Sequence, residues 1–238
     1  MSSIRNMTVA EVRAWLFGES GQISAEALAE LRLDARIGIR QLASRYELAQ
    51  ARERAELERL AKMWLLEEKA WASGYSLVVG IDEAGCGPLA GPVVAAAVVF
   101  EQSSPILGLN DSKQLSQSKR EQLFDAIYGK ASAVGVGVVS NHDIDEYNIL
   151  QAAKRAMQQA VRELAIVPEL ALVDGNSARL PSLEFPSRAI QDGDARSCSI
   201  AAASVVAKVT RDRIMVELDA QYPGYGFSQH KGYPSREH

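Results

Sequence analysis

The chain has 238 residues, of which 47% are hydrophobic and 24% charged, enough for one sizeable core and a small second domain. It contains no run of about 18 apolar residues that could span a membrane, and the N-terminal Arg5, Glu11, Arg13 and Glu19 interrupt any secretory apolar core. Two cysteines, Cys86 and Cys198, make no disulfide framework, and the net charge of −4 counts weakly against binding nucleic acid through a broad basic face.

Residues 1–73 contain no proline and read as a helical N-terminal extension. Met7–Phe17 is predicted to be a short helix, with Thr8 and Glu11 in capping-box spacing. Ser24 opens a second helix with Leu28, Leu31 and, at its end, Leu33 on the apolar side. A long helical stretch follows from about Ala35 to Ala72, with Gly38 or the region near Tyr46 as candidate breaks. Leu57, Leu60, Trp64 and Trp71 recur at helical spacing, and Arg54, Glu58 and Lys62 form an i,i+4 ladder on another face. Tryptophans in such a pattern are expected to be packed rather than to stack on bases.

Ser73-Gly74 ends the helical region, and residues 74–238 are expected to form the catalytic domain. Leu77–Ile81 and Pro92–Phe100 are β runs, Leu115–Tyr128 a helix capped by Ser116 and stopped by Gly129, and Ala133–Ser140 a strand alternating valine with glycine. Asn148–Leu164 reads as a helix, Leu170–Asp174 as a strand, Leu183–Ile190 as a weaker strand and Ser197–Leu218 as a long helix. This order predicts an α/β fold, a mixed sheet with an antiparallel start flanked by helices.

The most informative segment is Gly80-Ile81-Asp82-Glu83-Ala84-Gly85-Cys86-Gly87. A buried strand runs straight into two carboxylates, whose side chains share one site only where strand alternation breaks. Burying them together is costly without a cation, and oxygen-only ligands suit Mg²⁺ or Mn²⁺. The Gly85-x-Gly87-x-x-Ala90 spacing is not a dinucleotide fingerprint, because Pro88, Pro92 and a β run follow in place of a helix. A second apolar strand ends in Asp174-Gly175, and Asp194 precedes the last long helix, where it is either a helix-start residue or a metal ligand. Asp212 lies several turns further along and is the weaker candidate. Tyr222–Phe227 and His230–Tyr233 interleave aromatics with cations, a texture shared by nucleic-acid contacts and by ordinary turns. The histidines His142, His230 and His238 are too scattered for a zinc site.

Taken together, Gly80–Ala97, Asp111–Ser116, Leu172–Gly175, Gly193–Asp212 and Tyr222–His238 resemble the type 2 ribonucleases H, over about Tyr75 to His238. The helical stretch before them is similar to that of bacterial members with an N-terminal addition. The resemblance implies a ribonuclease H-like fold and cleavage of RNA in RNA–DNA hybrids and at single ribonucleotides embedded in duplex DNA. It implies two Mg²⁺ or Mn²⁺ ions held by Asp82, Glu83, Asp174 and Asp194, and products with a 5′-phosphate and a 3′-hydroxyl. It assigns reading of the 2′-hydroxyl to Gly85-Cys86-Gly87, assistance at the RNA–DNA junction to Tyr233, and a place near the scissile phosphate to Lys113. A monomer in the cytoplasm is expected, with nucleic acid as partner and no membrane.

Two departures from the family pattern stand out. Cys86 occupies a position that is usually basic, and the chain stops at His238, where members usually continue with a helix and a basic tail. Both lead to an expectation of weakened substrate binding. The alternatives are a type 3 ribonuclease H, which acts on hybrids only, and a catalytically impaired hybrid-binding protein.

Overall fold

A computed structural model describes residues 6–18 and 23–236. Arg5, Glu19 and His238, named above, lie outside the described residues. The chain divides into two compact units, Met1–Glu58 and Arg59–His238.

The first unit is helical. α1 (Val9–Phe17) starts at Thr8, whose hydroxyl accepts the Glu11 N–H while the Glu11 carboxylate accepts the Thr8 N–H, the reciprocal cap that the spacing predicted. α2 (Ala25–Arg32) is capped by Ser24, and α3 (Ile37–Met63) follows. Val12, Leu16, Leu31, Ile39, Leu42, Ala43 and Tyr46 form a core of their own. Leu33 and Leu57 are exposed and take no part in it.

The long helical stretch does divide in two, but at Trp64 rather than at Gly38 or near Tyr46: α4 (Leu65–Ala72) begins just after it. The reason is packing. Trp64 meets Phe100 edge-on at 5.3 Å and stacks on Trp71 at 5.9 Å, so the helix line yields where that large ring is buried.

The second unit is built on a five-stranded sheet of order β3-β2-β1-β4-β5. β1 (Val78–Ala84), β2 (Val93–Phe100) and β3 (Ala133–Val139) form an antiparallel meander. β4 (Leu170–Asp174) pairs parallel with β1, and β5 (Ser187–Ile190) parallel with β4. β5 is shorter than the predicted Leu183–Ile190, because Leu183 and Phe185 turn inward onto the core beneath the sheet.

The helices are α5 (Gln117–Lys130), α6 (Asn141–Tyr147), α7 (Ile149–Arg162), α8 (Cys198–Gln221) and α9 (Phe227–His230). Ser116 caps α5 as expected, but Gly129 does not stop it. The helix ends where the Ala131 N–H closes onto the Ile127 carbonyl and the chain extends toward β3. α6 was not predicted, although Ser140 and Asp143 carry its reciprocal cap.

Small residues set the layer spacing. α7 presents Ala152, Ala153, Ala156 and Ala160 to one sheet face, and a Cβ added at Gly137 would lie 2.0 Å from the Ala156 carbonyl oxygen. The valine–glycine alternation of β3 therefore records a helix lying directly on the strand. α8 covers the other face through Ala201, Ala202, Ala203 and Val205.

Candidate active site

β1 and β4 are neighbours and run the same way, so their C-terminal ends share one edge of the sheet. Ile81 pairs with Val173, which places Asp82 beside Asp174. Asp194 arrives from a single 3-10 turn, Gly193–Ala195, immediately before α8, and Ser197 rather than Asp194 caps that helix. Asp82, Asp174 and Asp194 each offer a carboxylate oxygen, all within 4.8 Å of one another. The Gly193 N–H donates to Asp174 Oδ1 at 2.7 Å, tying the end of β4 to the turn that bears Asp194.

Asp82 and Asp194 are only 4% and 7% exposed. Burial, reinforced by Glu83, Asp174 and Asp194, pushes the Asp82 carboxyl well above the usual range. Burial, with Asp111 and Asp174 beside it, lifts Asp194 to about 6, against the pull of Lys113. Such a cluster is repulsive by itself and suits a hard divalent cation bound through oxygen.

Glu83 has partners that the three aspartates lack. Its carboxylate pairs with Arg179, and the Cys86 thiol lies 3.7 Å from Glu83 Oε1. Burial raises its pKa while Arg179 lowers it, and Glu83 Oε2 is buried without a hydrogen-bond partner. That orphaned oxygen leaves one ligand position available for a cation. Sequence reading missed Arg179. It lies on a short turn after β4 (Ser177–Arg179), and nothing in its spacing marks it.

Lys113 Nζ stands 3.7 Å from Asp194 Oδ2. Burial works against its charge, yet Asp82, Asp111 and Asp194 hold its pKa above the usual value. Asp212 is removed from the aspartate cluster, held by Lys208 at 2.7 Å and Arg120 at 3.5 Å.

The glycine tripeptide and Tyr233 are brought together. Gly85 has φ +110°, and a Cβ there would strike the Pro92 carbonyl oxygen at 2.5 Å. A Cβ on Gly87 would sit 3.8 Å from the Tyr233 ring. The Leu89 N–H donates to the Gly232 carbonyl, and the buried Arg211 guanidinium donates to the carbonyls of Ala90, Pro92 and Lys231, each at 2.9 Å. Arg211 thus clamps the segment after the tripeptide to the segment bearing Tyr233. Cys86 packs inward on the core side, with burial and Glu83 pushing its thiol up to about 12.

The family model described as Ribonuclease HII matches residues 79–238, and that of the Ribonuclease HII N-terminal domain matches 8–71. The chain belongs to the ribonuclease HII family. A ribonuclease HII of Acetivibrio thermocellus is 46% identical over 233 residues, spanning 98% of this chain and 90% of that protein. One of Geobacter metallireducens is 54% identical over 176 residues, 74% of this chain and 82% of the relative. Among solved structures, the ribonuclease H2 of Pyrococcus horikoshii OT3 superposes with a TM-score of 0.57 at 32% identity, covering 67% of this chain and 82% of that one. As a ribonuclease HII family member the protein is a metal-dependent endoribonuclease. No helix among the described residues is long and apolar enough to cross a membrane.

Proposed function

We propose that this ribonuclease HII cleaves the RNA strand of RNA–DNA hybrids and incises duplex DNA at a single embedded ribonucleotide, leaving a 5′-phosphate and a 3′-hydroxyl. The observation that carries this reading is the meeting of Gly87 with Tyr233 on the segment that directly follows Asp82-Glu83. A 2′-hydroxyl is what separates RNA from DNA, and of the tripeptide Gly87 is exposed and has no side chain to shield its backbone. The Tyr233 ring, 41% exposed, provides a flat face for the sugar at the junction.

Asp82, Asp174 and Asp194, joined by Glu83, would hold two divalent cations, Mg²⁺ or Mn²⁺. Bound there, the cations supply the Lewis acidity needed for in-line attack of water at phosphorus and departure of the 3′-oxygen. The protein's own part is to keep the carboxylates converged, to place the Lys113 ammonium beside the scissile phosphate, and to hold the sugar against Gly87 and Tyr233. All these residues lie on one chain, which fits action as a monomer, and the free thiols of Cys86 and Cys198 fit a reducing cytoplasm.

The test is cleavage of a duplex carrying one ribonucleotide, compared with a continuous hybrid and an all-DNA duplex, with Mg²⁺ and Mn²⁺ tried separately. Both ribonucleotide-containing substrates are expected to be cut and the DNA duplex left intact. Cleavage of the hybrid alone would refute single-ribonucleotide recognition.

Cys86 gives this reading a second handle. Cys86 is half-buried against the core, and an arginine that turns outward from that position gains a charge-assisted phosphate contact worth roughly 1.5–3 kcal/mol. Cys86→Arg is therefore expected to lower KM on the single-ribonucleotide duplex by about tenfold or more. Unchanged KM and kcat would show that position 86 does not face the substrate.

A further inference from the structure

The chemistry described above uses nothing from α4, yet α4 sends a carboxylate to the start of α8. Glu67 is 1% exposed. Its Oε1 accepts from the Ser197 hydroxyl at 2.5 Å, the Ser199 hydroxyl at 2.6 Å and the Ser199 N–H at 2.9 Å. The Ser197 hydroxyl in turn accepts the Ile200 N–H at 3.2 Å, as the cap of α8. Glu67 falls within the stretch matched by the N-terminal domain model, whereas the serines it binds belong to the stretch matched by the nuclease model.

We propose that Glu67 is a positioning residue for the metal site, fixing the start of α8 and through it the turn that carries Asp194. The inference rests on Asp82, Asp174 and Asp194 being cation ligands.

The chain of contacts is continuous. The Ser197 N–H donates to the Gly193 carbonyl at 2.8 Å, and the Arg196 N–H to the same oxygen at 3.0 Å. This closes the turn on which Asp194 sits, and the Gly193 N–H reaches Asp174 at 2.7 Å. On its other side the first turn of α8 presses against β1. A Cβ on Gly80 would lie 2.1 Å from the Ser199 carbonyl carbon, and Gly80 is two residues before Asp82. Ser199 is therefore held between the Glu67 carboxylate and the backbone of the strand that presents Asp82. One buried side chain thus bears on all three aspartates, without touching any of them.

Packing alone does not explain a carboxylate here. Ala70, Val78, Leu170, Leu172 and Ile200 make an apolar cluster around this part of the fold, and a buried charge is costly where an apolar side chain would fill the same space. Burial does raise the Glu67 pKa, opposed by Ser197 and Ser199. What a carboxylate adds is geometry. One oxygen gathers three donors at a helix start, where the exposed N–H groups favour an anion, and so fixes where that start lies.

The experiment measures Mn²⁺ binding to the full-length protein by titration calorimetry, alongside thermal unfolding and the metal dependence of hybrid cleavage. Glu67→Leu removes the acceptor, Glu67→Gln keeps one neutral acceptor, and Ser199→Ala deletes a donor without opening a large cavity. Glu67→Leu is expected to weaken Mn²⁺ binding tenfold or more, with cleavage recovering at higher metal concentration. Glu67→Gln is expected to recover most of that loss, and Ser199→Ala to weaken binding about threefold. Should Glu67→Leu fail to fold, the other two variants carry the same comparison. Wild-type Mn²⁺ affinity in the folded variants, with only a lowered melting temperature, would overturn the proposal and leave Glu67 a purely structural residue. Asp82→Asn serves as control. If it too binds Mn²⁺ like the wild type, the metal-site reading itself fails. If it loses binding while the Glu67 and Ser199 variants keep theirs, only the positioning role fails.

Discussion

Replacing Asp82 with asparagine is expected to abolish cleavage while making the metal-free protein more stable above neutral pH. The activity loss follows from removing one oxygen ligand from the proposed cation site. Several kcal/mol of transition-state stabilisation go with it, about a thousandfold or more in rate. The stability gain follows from burial beside Glu83, Asp174 and Asp194, which lifts the Asp82 carboxyl well above its ordinary range. A carboxyl whose folded-state pKa is raised favours the folded state most below its unfolded value, near 4. That advantage is lost as pH rises through the folded-state pKa. In EDTA the two proteins should melt together at about pH 4 and below, and the wild type should fall progressively behind as the pH is raised to about 8. Near wild-type turnover of Asp82→Asn with Mg²⁺ would contradict the assignment, and identical melting curves at both pH values would contradict the electrostatic account.

Arg211→Met is expected to be the most destabilising single change around the site. Arg211 is fully buried and serves three backbone carbonyls, those of Ala90, Pro92 and Lys231. Methionine fills much of the space but leaves all three acceptors unsatisfied, at about 1–3 kcal/mol each before relaxation. A net loss of roughly 3–5 kcal/mol is expected, which for a unit of this size lowers the melting temperature by on the order of 10 °C. Below that temperature the ribonucleotide duplex should still be cut poorly, because the segments bearing Gly87 and Tyr233 are no longer clamped together. Arg211→Lys should rescue little, since an ammonium cannot span the three carbonyls as the planar guanidinium does. A loss below about 1 kcal/mol on denaturant unfolding would show that water or neighbouring donors replace the clamp.

The skeleton of the site was legible in the sequence because strands announce where they end. The apolar runs before Asp82 and Asp174 each stop at a carboxylate, and parallel neighbours bring such ends to one edge. What stayed hidden depends on contacts remote in sequence. Periodicity could not tell that Glu67 faces inward onto Ser199 while its neighbour Glu68 meets Ser103 at an exposed position; both read as part of one charged helix. Arg211 sits in a run of charged residues, Lys208 to Arg213, that looks solvated, and only the looping of two distant segments around it reveals a buried clamp. Trp64 was read as packed, but not as the helix break, because that depends on Phe100 of β2. The pairing of Glu83 with Arg179 was equally out of reach, since Arg179 belongs to an irregular turn.

The strand order has a consequence for how the enzyme comes into being. β1, β2 and β3 pair with their immediate successors, a low-contact-order arrangement that can form early. β4 must instead cross back to the centre of the sheet to lie beside β1. At synthesis rates of roughly 5–20 residues per second, Asp194 leaves the ribosome on the order of ten seconds after Asp82. The nascent meander is therefore free of the mutual repulsion of the aspartates while it folds. The proposed cation site is completed only after Asp194 has been made, so a chain terminated before that residue lacks one of the three converging carboxylates.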